Sequence, residues 1–338
     1  MCLKNKFSYR YFGFLIDIRY LCALKTRKYK YHHTPIIIVH KSGFVNIVGN
    51  PNVGKSTLMN SLVGERLSII TSKAQTTRHR IMGIVNTDDM QIVYSDTPGV
   101  LKPVSKLHES MLAFSTGALQ DADVLLYLTD TVETPDKNEQ FLAAVTRMSE
   151  DQGPMAPKVI VVINKMDLVE QTVLVQKVEE WHARLPQAEI IPISALHGFG
   201  TDILLSKIKE LLPECPPYFD KDQLTDKPAR FFVTEIIREK ILMLYDKEIP
   251  YSCEVSVESF KEEEKLINIS AIIYCERDSQ KGILIGRQGT MLRKLGTLAR
   301  KDIEAFFGKQ VMLKTFIKVE KDWRNNMRDL TTFGYHLD

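Results

Sequence analysis

A glycine-rich loop that ends in a lysine and a hydroxyl residue is the part of the sequence best suited to chemistry. It follows the apolar run 44–48 and consists of Gly49, Asn50, Pro51, Asn52, Val53, Gly54, Lys55, Ser56 and Thr57. The two glycines let successive backbone N–H groups point at a phosphate, and Lys55 can reach the terminal phosphates of a nucleotide. Ser56 can offer its hydroxyl to a magnesium ion. The spacing predicts a strand, a phosphate-binding loop and a helix whose positive end faces the anion.

Three further motifs each follow a predicted strand. They are Asp96, Thr97, Pro98 and Gly99 after 90–95; Asn164, Lys165, Met166 and Asp167 after 158–163; and Ser194, Ala195 and Leu196 after 190–193. Open α/β sheets bind ligands at the carboxyl ends of their strands, so we expect all four motifs to meet in one site. The first loop alone would also fit an ordinary turn. Four motifs in this order indicate a nucleotide site.

The second and third of these motifs predict which base is bound. Asp167 can accept hydrogen bonds from the N1–H and the exocyclic amine of guanine. Adenine would leave this carboxylate unpaired, which argues against the alternative of an ATP-dependent enzyme. Asn164 and Lys165 can brace the base and the loop, and the backbone N–H of Ala195 can meet guanine O6. We therefore predict a site for GTP and GDP.

The phosphate end of the site has two further candidates. Asp96 can hold a magnesium ion through water, and the Gly99 N–H can sense a γ-phosphate. Both follow the same strand, so they would report on the same end of the nucleotide.

Length and composition exclude several classes of protein. The 338 residues are enough for two hydrophobic cores. The five cysteines are scattered and lack ligand spacing, which fits a reducing cytosol and argues against a disulfide framework or a zinc site. No uncharged apolar run of about 18 residues occurs, so we expect no membrane span.

The first 41 residues differ from the rest in charge. They carry nine Lys or Arg and one Asp, whereas the other residues carry 36 basic and 41 acidic groups. Such a head could be a targeting or RNA-binding arm. We favour a second interpretation, in which it precedes the true start, because a bacterial GUG start codon would be written as Val39. We expect no function in residues 1–41.

The remainder divides into two predicted domains. Residues 42–212 alternate strands (44–49, 81–86, 90–95, 123–129, 158–163 and 189–193) with helices (55–63, 107–119, 136–148, 171–184 and 201–211), which predicts a doubly wound, mostly parallel α/β domain. Prolines and charges at 213–228 predict a linker. Residues 229–338 then predict a smaller α+β domain with helices at 230–244, 279–283 and 290–307 and strands at 252–260, 265–274 and 311–319.

The second domain contains a helix–GxxG–helix pattern that indicates a type II KH fold. The pattern comprises Ile285, Gly286, Arg287, Gln288 and Gly289. In KH domains this loop clamps the backbone of a single-stranded nucleic acid. Residues 281–328 hold twelve Lys or Arg against four Asp or Glu, which favours RNA binding over a simple turn.

A GTPase domain followed by a KH domain resembles the Era family of bacterial ribosome-assembly GTPases. The resemblance covers residues 42–338 and includes the nucleotide motifs with Val100, the segment 75–78 of the first switch and the segment 319–324. It implies binding of 16S rRNA near its 3′ end, rRNA processing and biogenesis of the 30S subunit. It also implies a cytoplasmic monomer with peripheral association with the inner membrane. Lys321, Trp323 and Arg324 become candidate RNA contacts, with Trp323 able to stack on a base.

The resemblance also assigns switch residues. Thr77, with Thr76 as the second choice, should complete the magnesium shell only when GTP is bound. Ras-like enzymes orient water with a glutamine at the position of Val100, which is apolar here, so we expect slow hydrolysis without RNA or potassium. Related GTPases hold potassium with an asparagine at the position of Asn52, although this residue would also suit a turn.

Two points remain open on the sequence alone. Arg78 and Arg80 look like arginine fingers, but we expect them to be solvated or to face the ribosome. The main rival function is a nucleotide-gated binding protein that barely hydrolyses GTP, for which RNA and ribosome contacts would be the whole activity.

Overall fold

A six-stranded sheet forms the frame of the first half of the chain. The computed structural model describes residues 40–99, 102–132, 139–153 and 155–335. The strands are β1 (Lys41–Gly49), β2 (Ile81–Asn86), β3 (Met90–Asp96), β4 (Val124–Asp130), β5 (Lys158–Asn164) and β6 (Glu189–Pro192). They lie in the order β2-β3-β1-β4-β5-β6, and within this described sheet only β2 and β3 pair antiparallel. The central strands are near-continuous apolar runs because both of their faces are covered.

Helices cover both faces of this sheet. They are α1 (Lys55–Val63), α2 (Lys106–Gln120), α3 (Glu139–Glu150), α4 (Gln171–Arg184) and α5 (Thr201–Leu211). Leu58 of α1 and Leu204 of α5 belong to the core on one face, whereas Leu119 of α2 and Trp181 of α4 belong to the core on the other. Since β1 lies between β3 and β4, the strand order reverses there. The carboxyl ends of the strands beside this reversal are the expected ligand site of such a sheet.

A second, smaller sheet carries the C-terminal half. The elements are α6 (Ala229–Leu244), β7 (Glu254–Glu262), β8 (Leu266–Cys275), α7 (Asp278–Ile285), α8 (Thr290–Phe307), β9 (Gln310–Val319) and α9 (Met327–Thr332). β8 pairs antiparallel with β7 and parallel with β9. Alternate residues of β8 are buried, so one face of the sheet packs on the helices. The order helix–strand–strand–helix–helix–strand is the order that the sequence predicts for a type II KH domain.

The segment 213–228 is irregular, as predicted, but it packs along the outer edge of the first sheet. The Ile84 N–H donates to the Leu224 carbonyl at 2.8 Å, and the Met82 N–H donates to Asp226 Oδ1 at 2.9 Å. Phe219 packs against the apolar cluster on this side of β2. The linker therefore supplies hydrogen-bond partners that an edge strand lacks.

Two wider observations concern the described part of the chain. Within it, no helix combines the length and apolar character needed to span a membrane. The described residues also contain no group of three or more His, Cys, Asp or Glu side chains placed to hold a metal ion together. Residues 1–39, the predicted basic head almost entirely, lie outside the described residues, as do Val100 and the start of the predicted helix 136–148.

Candidate nucleotide and RNA sites

The phosphate loop after β1 is fixed by a residue of β5, two strands away in the sheet. Asn164, the last residue of β5, donates from Nδ2 to the Val53 carbonyl at 2.8 Å. Gly54 adopts a φ of +99°, and a Cβ there would lie 2.2 Å from the same Nδ2. A side chain at this position would thus both strain the backbone and displace Asn164. The close approach explains why this loop position is a glycine.

The lysine side chain of the phosphate loop folds back onto the backbone carbonyls of the same loop. Lys55 Nζ donates to the Gly49 carbonyl at 3.1 Å and to the Asn50 carbonyl at 2.7 Å. The side chain is buried. The ammonium group therefore lies among backbone groups at the positive end of α1, where an anionic phosphate would be bound.

Three oxygen atoms converge beside the loop. Ser56 Oγ lies 2.7 Å from Asp96 Oδ2 and 2.9 Å from Thr77 Oγ1, and Thr77 Oγ1 lies 3.3 Å from Asp96 Oδ2. Neighbouring ligands of an octahedral magnesium ion at about 2.0–2.1 Å lie about 2.9 Å apart. The Thr76 hydroxyl instead donates to the Lys73 carbonyl at 2.6 Å. The geometry favours Thr77 over Thr76 as the switch threonine.

The carboxylate of this cluster has an unused oxygen. Asp96 Oδ1 is buried and meets no hydrogen-bond partner within the described part of the chain. Burial raises the pKa of Asp96, although hydrogen bonding from Ser56 and the charge of Lys55 oppose the shift. A divalent cation near this carboxylate would favour its charged form, and a water molecule held by the cation would supply a donor to the carboxylate. The residues present therefore fit a magnesium ion.

The opposite end of the cleft carries the predicted guanine residues. A hydrogen bond from the Ser194 hydroxyl, with a smaller contribution from His197, lowers the pKa of Asp167. Asp167 is therefore an acceptor at neutral pH. The Ala195 N–H donates to Asn164 Oδ1 at 2.9 Å, so the amide that we expect to meet guanine O6 already has a protein partner. Its contact with the base stays a prediction.

Lys165 joins the two ends of the site. Its Nζ donates to the Asn52 carbonyl at 2.7 Å and to Asp130 Oδ2 at 2.6 Å. Asn52 itself adopts a φ of +65°, a left-handed conformation that asparagine tolerates better than most residues. This conformation is compatible with the turn interpretation, so potassium binding at Asn52 stays a prediction.

Most of the motif residues line one cleft of about 590 Å³. They are Pro51, Asn52, Gly54, Lys55, Ser56, Thr57, Thr77, Gly99, Asn164, Lys165, Asp167, Ser194 and Leu196. Gly49, Asn50, Val53, Asp96, Thr97, Pro98, Met166 and Ala195 belong to the same strand ends and loops but do not form its wall. The volume lies in the range of about 300–1,000 Å³ that is common for small-molecule sites.

The GxxG loop presents its two middle residues to solvent. Arg287 and Gln288 are exposed at the junction of α7 and α8, and Ile285 behind them is half-buried. Gly286 has a φ of +71°, and a Cβ there would lie 2.6 Å from Met291 Cγ. The turn thus depends on glycine and leaves the basic tip accessible.

A groove beside this loop was missed by the sequence analysis. It has a volume of about 380 Å³ between α8 and β9 and is lined by Gly289, Leu292, Arg293, Gly296, Thr297, Arg300, Leu313 and Thr315. The helix residues recur every three or four positions, on the face next to the buried Leu295, Ala299 and Ile303. The available signal was two arginines and one glycine, Arg293, Arg300 and Gly296, on one face of the helix.

The predicted base contact of Trp323 requires correction. The side chain is fully buried, its Nε1–H donates to the Ser252 carbonyl at 2.9 Å, and it packs against Leu107 and Met111 of α2. A base cannot stack on an indole enclosed between the two halves of the molecule. Arg324 is partly engaged, with Nε 3.0 Å from a Glu276 carboxylate oxygen, whereas Lys321 is exposed.

The expectation for Arg78 and Arg80 is also wrong. Arg80 Nη1 pairs with Asp121 Oδ2 at 2.6 Å inside the first domain. Arg78 is 1% exposed, and its guanidinium donates to the Cys253 carbonyl at 2.8 Å and to Glu254 Oε2 at 2.9 Å. Neither side chain is solvated, because each neutralises a carboxylate that the fold brings to it.

These features define a P-loop GTPase joined to a KH domain. The family profile described as "50S ribosome-binding GTPase" matches residues 44–165, and the profile described as "KH domain" matches residues 248–324. GTPase Era of Geotalea daltonii is 45% identical over 295 residues, which are 87% of this chain and 97% of that protein. GTPase Era of Syntrophus aciditrophicus is 44% identical over 301 residues, or 88% and 96% of the two chains.

Two solved structures extend the comparison to the whole fold. Era in complex with MgGDPNP and nucleotides 1506–1542 of 16S ribosomal RNA has a TM-score of 0.81 at 38% identity, covering 88% of this chain and 100% of that one. A variant of Aquifex aeolicus Era bound to GDP.AlF4⁻ has a TM-score of 0.80 at the same identity and coverage. This chain belongs to the Era family of GTPases. The predicted family, fold class and GTP hydrolase activity are confirmed.

Proposed function

We propose that the chain couples the nucleotide in the first domain to RNA held by the second. In the cleft, Lys55 faces the terminal phosphates, Ser56 and Thr77 ligate magnesium, and Asp96 holds it through water. The Gly99 N–H senses the γ-phosphate. The observation that carries this assignment is the convergence of three oxygens within 2.7–3.3 Å of one another.

Each remaining group has a binding role in the proposal. Asp167, a carboxylate whose pKa the Ser194 hydroxyl lowers further, reads the guanine edge. Asn164 and Lys165 hold the loop in the shape that receives the phosphates. When bound, magnesium supplies charge neutralisation at the β- and γ-phosphates. Replacing Lys55 or Ser56 with alanine should abolish hydrolysis in a single-turnover assay, and unchanged rates would contradict these roles.

The proposed RNA is the 3′ region of 16S rRNA, and the proposed role is maturation of the 30S subunit. Support comes from the exposed loop of Arg287 and Gln288, from the adjoining groove and from the RNA bound by the Era protein of the comparison. We place the GTPase domain at 42–212, the linker at 213–228 and the KH domain at 229–338. The monomeric state and the peripheral membrane association stay predictions.

One helix glycine offers a specific test of RNA binding. Among the described residues, the one atom within 4 Å of a Cβ built at Gly296 is Thr315 Oγ1, at 3.8 Å. The backbone therefore accepts a side chain at this position. Gly296→Leu should fill the groove and weaken RNA binding while GTP affinity stays the same. Gly117→Leu in α2, also with free space around the new Cβ, is the matched control. RNA binding at the original affinity would remove the groove from the proposal.

Hydrolysis without a polar residue at Val100 needs another source of charge, and we propose potassium at Asn52. Hydrolysis should rise when sodium is replaced by potassium, and Asn52→Ala should erase the rise. Equal rates in the two salts would leave Asn52 as a turn residue. If turnover stays negligible with potassium and with RNA, the nucleotide-gated binding protein becomes the better description.

A further inference from the structure

The switch threonine lies between two attachments to the KH domain. Thr77 is the residue whose hydroxyl joins Ser56 and Asp96 beside the phosphate loop. The carbonyl before it, that of Thr76, accepts a hydrogen bond from Arg238 of α6. The side chain after it, that of Arg78, enters the KH domain. The backbone on each side of Thr77 is therefore held by a different domain from the one that binds the nucleotide.

The attachment through Arg78 is extensive. Its two Nη groups reach the carbonyls of Cys253 at 2.8 Å, Pro250 at 3.2 Å and Tyr251 at 3.3 Å, as well as Glu254 Oε2 at 2.9 Å. Arginine and glutamate are both almost fully buried. A planar guanidinium with several fixed acceptors holds its backbone more tightly than a flexible ammonium group would.

The attachment through Arg238 is equally enclosed. Its Nε and Nη2 pair with the Glu235 carboxylate at 2.8 Å each, which orients the guanidinium toward the first switch. Nη1 also lies 3.5 Å from the Gln75 carbonyl. The KH helix thus supports the two peptide carbonyls that precede Thr77.

We propose that Arg78, anchored by Glu254, is a positioning residue for GTP hydrolysis that sets the Thr77 hydroxyl beside Ser56 and Asp96. The inference rests on the proposed role of Thr77 as a magnesium ligand. It makes the KH domain part of the support of the metal site. Mutating a residue that orients a metal ligand without touching the metal commonly lowers metal affinity or activity by about 10–100-fold.

The test measures how much magnesium is needed to bind GDPNP, with GDP affinity at saturating magnesium as a parallel readout. Arg78→Lys keeps the charge but not the planar fork, and Glu254→Gln keeps the shape but not the charge. Each should raise the half-saturating magnesium concentration for GDPNP about 10-fold or more. GDP affinity should stay unchanged because Thr77 joins the shell only with GTP. Thermal melting verifies that each variant is folded.

A matched control separates positioning from loss of an interdomain ion pair. Arg66 also pairs with a KH glutamate, Glu239, but its side chain is 59% exposed and it lies outside the nucleotide cleft. Arg66→Met should leave the magnesium requirement unchanged. A shift equal to that of Arg78→Lys would attribute the effect to domain contact in general and overturn the inference.

A double mutant distinguishes the inference from the proposal beneath it. If Thr77→Ala leaves the magnesium requirement unchanged, the role of Thr77 itself is wrong. If Thr77→Ala shifts it and Arg78→Lys and Glu254→Gln do not, only the positioning role is wrong. In a Thr77→Ala background, Arg78→Lys should add nothing, because it acts through the missing hydroxyl. A full additional shift in that background would show that Arg78 acts by another route.

Discussion

Trp323→Ala tests whether this indole serves RNA or the contact between domains. The side chain is fully buried, packs against Leu107 and Met111 and donates to the Ser252 carbonyl at 2.9 Å. Truncating a buried tryptophan to alanine typically costs about 3–5 kcal/mol of unfolding free energy. Trp323→Phe keeps most of the apolar contact and loses the hydrogen bond, so we expect about 1–3 kcal/mol for the unpaired carbonyl.

Urea unfolding followed by fluorescence measures this cost. The sequence has two tryptophans, so Trp323 variants retain Trp181, which is buried in the first domain against Tyr127. With a denaturant slope of about 1–3 kcal/mol per molar urea, the alanine variant should lower the transition midpoint by about 1 M or more. Phe316→Ala removes a half-exposed aromatic from β9 and should change stability by no more than about 0.5 kcal/mol.

RNA affinity provides the decisive comparison for Trp323. Loss of a stacked base costs about 1–3 kcal/mol by alanine substitution. Below its unfolding transition, Trp323→Ala should retain direct binding of the KH domain to RNA. A normal midpoint combined with about a tenfold or greater loss of RNA affinity, which is about 1.4 kcal/mol, would refute the burial argument.

Three further predictions address the two sites. Asp167→Asn should lose about 1.5–3 kcal/mol of GTP affinity and gain affinity for xanthosine triphosphate, and competition binding in which neither changes would remove this residue from base reading. Gly54→Ala should weaken GDP and GTP binding while RNA binding persists, because its Cβ would lie 2.2 Å from Asn164 Nδ2; calorimetry that finds normal nucleotide affinity would contradict this. Replacing Arg287 and Gln288 with Asp should weaken RNA binding and lower its salt slope by about 0.7 per lost phosphate contact on a single strand, with GTP affinity as the control for folding.

The nucleotide site was predictable because its residues are local to strand ends. A motif such as Asn164 to Asp167 follows an apolar run, and the fold rule for parallel sheets then brings it to the phosphate loop. The predicted strand 158–163 corresponds to β5 (Lys158–Asn164) and the predicted helix 171–184 to α4. Such elements can be predicted because a short apolar run or a strong helical periodicity marks their type, and a proline or glycine marks their ends.

The contacts between the domains were not predictable from the same reasoning. Arg78 and Glu254 are 176 positions apart, and nothing local distinguishes a charged residue that will be buried from one that will be solvated. Charged residues are mostly exposed, so the expectation for Arg78 followed the general rule. The prediction for Trp323 was wrong for a related reason. The neighbouring Arg324 suggested a nucleic-acid contact, whereas the surface that covers the indole lies on α2, far away in sequence. The groove beside α8 was missed because helix periodicity identifies the buried apolar face and says little about the faces next to it.

The packing of residues 213–228 along β2 determines where the chain can be truncated to give the GTPase domain. It also determines when the edge of β2 becomes covered during translation. A fragment that stops at Leu212 would lack the carbonyl and carboxylate that receive the Ile84 and Met82 amides, and it would uncover the apolar cluster beneath Phe219. An uncovered strand edge of this kind pairs readily with other chains. The isolated GTPase domain should therefore aggregate less when it is cut after Pro228 than when it is cut after Leu212. The nascent chain meets the same hazard until its linker has left the ribosome.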